Sequence, residues 1–135
     1  KQIISTKKLL RYLINKYKIS LKNVLGHSDV APDRKKDPGE KFPWKDLAKS
    51  KLSKWHNLDE KKLKRERLIS LNLVEESNFM VNLTKIGYFK ISQKNNNSKK
   101  KIITKAFQRH FRQKLINGIP DKECLIISNN LLKSQ

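Results

Sequence analysis

His27 and Asp37 stand ten positions apart in GHSDVAPDRKKDPGEKFPW, residues 26 to 44, and both are donors of the kind that zinc accepts. A catalytic zinc takes three protein ligands, drawn from imidazole, carboxylate or thiolate, and keeps a fourth position open for water. For His27 and Asp37 to supply two of those three, the chain must curl back between them, which Pro32, Pro38, Pro43 and Gly39 permit by excluding regular structure. A locally extended backbone alternates its side chains with a period of two, which puts Lys35 on the side of Asp37 and Arg34 and Lys36 on the other. Lys35 would then be a cation placed to steady a carbonyl oxygen as it becomes an oxyanion. His-x9-Asp is a loose pattern, however. A proline-rich surface loop with solvated charges accounts for the same residues, and spacing alone leaves both readings open.

The elements around this stretch must position it. Residues 3 to 17, IISTKKLLRYLINKY, place Ile3, Leu10, Leu13, Ile14 and Tyr17 at helical spacing, which predicts an amphipathic helix whose apolar stripe needs a cover. Val24 and Leu25 read as a short buried strand delivering His27 at its C-terminal edge, where open α/β sheets place ligands. Phe42 and Trp44 are expected to clamp the far end of the loop to the domain body, with the helix-like KDLAKSKL leading out. A second unit follows. Asp59 caps a helix of about 60 to 72, Ser77 caps one that Gly87 ends, QKNNNSKKK is a polar linker, Ser98 opens a helix carrying Ile103, Phe107, His110 and Phe111, and Asp121 caps a last helix through Cys124, Ile127 and Leu131. The expected fold is therefore an α/β remnant of helix, strand and metal-site loop over residues 1–55, followed by a separate small all-α bundle over 56–135, mostly helical overall.

Composition bounds the rest. The net charge of +20 on 135 residues invites an anionic partner. Yet the basic residues are mostly lysine, scattered along the chain, whereas base readout favours clustered arginine forks, and the aromatics sit at core spacing instead of interleaving with lysine. No specific nucleic-acid partner is expected. A single cysteine, Cys124, rules out an internal disulfide and a Cys-rich zinc module, and no window has the ~18 apolar residues of a membrane span. The chain opens on Lys1 and carries Met80 as its one methionine, so it is expected to be the tail of something longer.

The full string resembles the signature of the type 2 N-acetylmuramoyl-L-alanine amidases, zinc enzymes related to the peptidoglycan recognition proteins, and in particular the bacterial cell-wall amidases of the AmpD/AmiD kind. Gly26, His27, Asp29, Ala31, Pro32, Arg34, Lys35, Asp37, Pro38, Gly39, Phe42, Pro43 and Trp44 carry the match, and Glu40 stands where the family has proline. The resemblance implies that His27 and Asp37 are zinc ligands and Lys35 the catalytic cation, with Asp29, Arg34 and Trp44 supporting the loop. Residues 77 to 132 resemble the helical peptidoglycan-binding module of some members through Phe107, Gln108, Phe111, Gly118 and Asp121; there the phenylalanines read as core and Gln108 as the contact to glycan or stem peptide.

The same resemblance implies a third zinc ligand, a histidine, and a general-base glutamate, both on strands that would precede residue 1. His56, His110 and Cys124 read as packed or surface groups and not as substitutes. The implied activity is zinc-dependent hydrolysis of the amide between N-acetylmuramic acid and L-alanine in peptidoglycan or muropeptides, in the periplasm or cell envelope, with the cytoplasm as the alternative compartment. The isolated chain would be incomplete, relying on a longer protein or a separately encoded N-terminal half. The alternative is a non-catalytic peptidoglycan-binding remnant of a split or decaying amidase gene.

Overall fold

A computed structural model of the protein describes residues 2–88 and 97–133. These hold seven α-helices and no strand. The first, α1 (Gln2–Tyr17), turns Leu10 and Ile14 onto a cluster of Trp44, Leu47 and Leu52. None of its residues is fully buried, and Ile3, Ile4, Leu9, Tyr12 and Tyr17 remain exposed.

After a 3-10 turn over Leu21–Asn23, Val24 and Gly26 are extended (φ −86°, ψ 97° and φ −89°, ψ 162°). The strand expected at Val24 and Leu25 is thus reduced to a step of extended backbone: no neighbouring strand lies among the described residues to supply a ladder, and Val24 N–H donates back to Leu21 O at 3.3 Å. His27 accordingly opens a helix, α2 (His27–Val30), instead of closing a strand. The period-two reading of the loop also fails, because the N–H groups of Arg34 and Lys35 both donate to Ala31 O (3.1 and 2.9 Å) and wind the chain into a turn. The loop leads into α3 (Trp44–Lys49).

Asp59 caps α4 (Glu60–Glu66) by accepting from the N–H groups of Lys61 and Lys62 at 2.6 and 3.3 Å. This helix stops short of 72, since Arg67 is extended and Leu68 has φ 67°. Helix α5 (Leu73–Ile86) is opened by Asn72 rather than Ser77. Asn72 accepts from Glu75 N–H at 2.9 Å while the Glu75 carboxylate accepts from Asn72 N–H at 3.0 Å, a reciprocal capping box that leaves Ser77 inside the helix. Gly87 ends it. Residues 93–96 of the expected linker lie outside the described residues, and its remainder forms the start of α6 (Asn97–Phe111). Asp121 caps α7 (Lys122–Lys133) by accepting from Cys124 N–H at 3.0 Å.

Phe79 and Leu83 of α5, Ile103, Phe107 and Phe111 of α6, and Cys124, Ile127 and Leu131 of α7 form the main core with Leu63. Trp55 packs on both this core and the Trp44 cluster, so residues 55 and 56, where sequence divides the chain, lie within shared packing. Lys54 Nζ donates to Leu131 O at 2.9 Å, and Asn130 Nδ2 donates to Asn57 Oδ1 at 2.7 Å. The bundle that reads as separate is packed against the first part.

Candidate metal centre

A four-residue helix has no stability of its own, so α2 is held by what surrounds it. Its first residue, His27, turns its Nδ1 onto Asp37 Oδ2 in a direct hydrogen bond. The backbones are tied as well, Ser28 N–H donating to the carbonyl of Asp37 at 2.9 Å. Both side chains are open to solvent, at 73% and 56% exposure. The contact with His27, and then the nearby Lys35 ammonium, hold the Asp37 carboxyl below its ordinary value. Imidazole and carboxylate thus meet at the surface, with the Lys35 ammonium near enough to act on Asp37, and it is a turn and not an extended strand that carries Lys35 there.

The backbone of Gly26 is pressed on this pair. A Cβ there would lie 2.5 Å from Pro38 Cδ and 3.2 Å from the Trp44 ring, and Pro38 adjoins Asp37. Gly26→Ala is therefore expected to destabilise the chain by about 1–3 kcal/mol, as overpacking does, and to separate His27 from Asp37. Urea unfolding and the NMR signals of the His27 ring check it.

Asp29 is buried, and its carboxylate accepts from Gly26 N–H (2.9 Å), Tyr88 Oη (2.8 Å) and His110 Nδ1 (2.8 Å). Burial alone would raise its pKa; the hydrogen bonds and the His110 ring outweigh it and lower the value. Trp44 is 3% exposed, stacks on His110 at 3.8 Å between ring centroids, and meets Phe42 edge-on at 4.7 Å. Gln113 Nε2 donates to Phe42 O and Glu40 O at 2.7 and 2.9 Å. Arg34 is exposed, and no hydrogen bond or ion pair reaches its guanidinium among the described residues.

Gln108 corrects the reading of it as a glycan contact. It is 0% exposed; its Oε1 accepts from Asn117 and Gly118 N–H at 3.0 and 2.8 Å, while its Nε2 donates to Ile119 O at 3.0 Å. The amide is consumed in knitting the 117–119 turn. His110, buried against Asp29, and His56, buried beside Trp55, stand apart from the His27 and Asp37 pair. Burial pushes the Cys124 thiol up to about 11, so it is no thiolate ligand.

Zinc chemistry fits the two donors: a nitrogen and an oxygen converge at an exposed position with a cation beside them. No further histidine, cysteine or acidic residue joins them among the described residues, whereas a catalytic zinc takes three protein ligands.

A family model described as N-acetylmuramoyl-L-alanine amidase matches residues 1–40. The amidase AmiD of Escherichia coli is 32% identical over 125 residues, which are 93% of this chain and 45% of that protein. The 1,6-anhydro-N-acetylmuramyl-L-alanine amidase AmpD of the same organism is 56% identical over 34 residues, 25% of this chain and 19% of that one. A solved complex of E. coli AmiD with anhydro-N-acetylmuramic acid-L-Ala-D-gamma-Glu-L-Lys superposes with a TM-score of 0.85 at 30% identity, covering 98% of this chain and 51% of that one. AmpDh3 of Pseudomonas aeruginosa superposes with a TM-score of 0.81 at 28% identity, covering 98% and 52%. The chain thus spans about half the length of AmiD and AmpDh3. The signature that opens at His27 and the fold shared with AmiD and AmpDh3 over 98% of this chain make it similar to the AmpD/AmiD-like type 2 N-acetylmuramoyl-L-alanine amidases.

Proposed function

We propose that the chain is the C-terminal part of a zinc-dependent N-acetylmuramoyl-L-alanine amidase acting on peptidoglycan or muropeptides in the periplasm or cell envelope. The observation that carries this is the meeting of His27 and Asp37 beside Lys35. His27 and Asp37 would hold the ion, which when bound supplies Lewis acidity toward the lactyl carbonyl and lowers the pKa of water. Lys35, a flexible exposed cation, steadies the oxygen that gains charge as the amide carbon becomes tetrahedral. Phe42 and Trp44 keep the loop from drifting. The third ligand, a second imidazole, and the carboxylate that takes the proton from water and passes it to the departing alanine nitrogen would come from a segment outside this stretch, in a longer chain or a separate N-terminal half.

Zinc titration of the chain followed through the His27 and Asp37 NMR signals tests the reading. We expect both residues to shift, the shift to reverse with EDTA, and His27→Ala or Asp37→Ala to abolish it. Muropeptide cleavage should appear when a polypeptide supplying the missing histidine and glutamate is added. Zinc that leaves both signals unmoved removes the metal site. Sedimentation with purified sacculi and no cleavage under any complementation would favour the non-catalytic wall-binding reading instead.

A further inference from the structure

We propose that the C-terminal helices position the metal-site histidine, through a buried relay in which Tyr88 and His110 hold Asp29 and Asp29 holds the backbone that aims His27. The inference rests on the reading of His27 as a metal donor. The residues concerned are far apart in sequence: Tyr88 follows α5 and His110 lies in α6, 59 and 81 residues beyond Asp29.

The carboxylate of Asp29 sits one turn inside α2 and reaches back to Gly26 N–H, the donor just before His27. That reach fixes where α2 begins and so where the His27 side chain emerges. Asp29 can stay there, at 7% exposure, only if its remaining lone pairs are satisfied. One oxygen accepts from the Tyr88 hydroxyl and the other, shared with Gly26, from His110 Nδ1. Both outer donors belong to the second part of the chain.

The relay has a mechanical counterpart. The His110 ring lies between Trp44 and Phe111, 3.8 and 4.0 Å from their centroids and within 15° and 11° of parallel. Trp44 in turn lies against Gly26. The start of the site loop is thus fixed by Tyr88 and His110 and its end by Gln113. His110 Nε2 is buried without a hydrogen-bond partner among the described residues, so the ring's polar tie is the one its Nδ1 makes with Asp29. A helical module that served only as a wall tether would need none of these contacts.

Two substitutions separate the bond from the ring in the full chain. His110→Phe keeps an aromatic face for Trp44 but cannot donate; His110→Asn keeps a donor near the position of Nδ1 but lacks the ring. Tyr88→Phe removes one hydroxyl and leaves the packing. By native-state amide exchange, Gly26 and Ser28 are expected to exchange at least ~10-fold faster in His110→Phe and Tyr88→Phe, with His27 ring signals displaced and zinc affinity lowered ~10–100-fold, the size of effect that loss of an outer-shell partner has. His110→Asn should restore part of that protection. Phe79→Leu, a core change away from Asp29 that lowers overall stability, should leave both amides and the His27 ring unchanged. Unaltered Gly26 and Ser28 exchange and unmoved His27 signals in both Phe variants, whatever happens to overall stability, would overturn the relay. Absence of zinc binding in the unsubstituted chain would instead remove the metal reading, while amide exchange still decides whether the helices position α2.

Discussion

Glu123→Gln is expected to lower the unfolding free energy of this chain by about 3–5 kcal/mol, the cost of removing one partner from a buried ionic cluster. Glu123 is 2% exposed, at the start of α7. Arg67 grips it with both arms, Nε to Oε2 at 2.6 Å and Nη2 to Oε1 at 2.8 Å, and Arg112, itself 3% exposed, brings its Nε to 3.8 Å. Arg112 also reaches Asp121 at 3.3 Å. The neutral amide keeps the shape of the carboxylate but leaves one negative charge, from Asp121, to face two guanidinium groups in a largely buried site. A domain of this kind has only ~5–15 kcal/mol in hand, so the urea midpoint should fall by about a fifth or more. Arg67→Met is the milder comparison, because Arg67 is 21% exposed and its loss leaves Glu123 still near Arg112. A Glu123→Gln variant within ~1 kcal/mol of the unsubstituted chain would show that the cluster is held open to water.

That cluster also explains where sequence reading ran out. Helix ends set by local chemistry were legible: Asp59 and Asp121 cap with their own side chains, and Gly87 stops α5. The end of α4 was not, because the apolar periodicity continues past the point at which Arg67 leaves the helix and turns to Glu123, 56 residues away. The choice of Ser77 over Asn72 missed a local signal, since Asn72 has Glu75 three residues on, the spacing of a capping box. Val24 and Leu25 were too short an apolar run to distinguish a strand from one extended step. At the site, prolines and a glycine permit the loop to double back, so spacing allows His27 and Asp37 to meet without requiring it, and it is the resemblance of the whole string that pairs them. The partners of Asp29 could not, since nothing near residue 29 points to Tyr88 or His110. Gln108 sits between residues of a phenylalanine-rich helix face, and only the turn at 117–119 decides that its amide is turned inward.

Acidification is expected to destabilise the chain well before its carboxylates titrate, and His56 is the reason. Its side chain is 8% exposed beside Trp55, and burial, only partly offset by Glu60, brings its pKa from 6.5 to about 4. Between those values the unfolded chain binds a proton that the folded chain refuses, so stability rises with pH across this window and is lost as pH falls through it. A shift of that size corresponds to about 3 kcal/mol between pH 7 and pH 4. Asp29, whose pKa is lowered in the folded state, adds its own loss only below the ordinary carboxylate range. Unfolding free energies measured in urea at steps from pH 7.5 to 4.5 should therefore slope downward from about pH 6.5. His56→Gln has no proton to gain, so its profile should be flat to about pH 5. Equal slopes in the two proteins would mean that the fold opens enough at His56 for the imidazolium to be hydrated, and that the packing of Trp55 between the two cores is looser than its contacts imply.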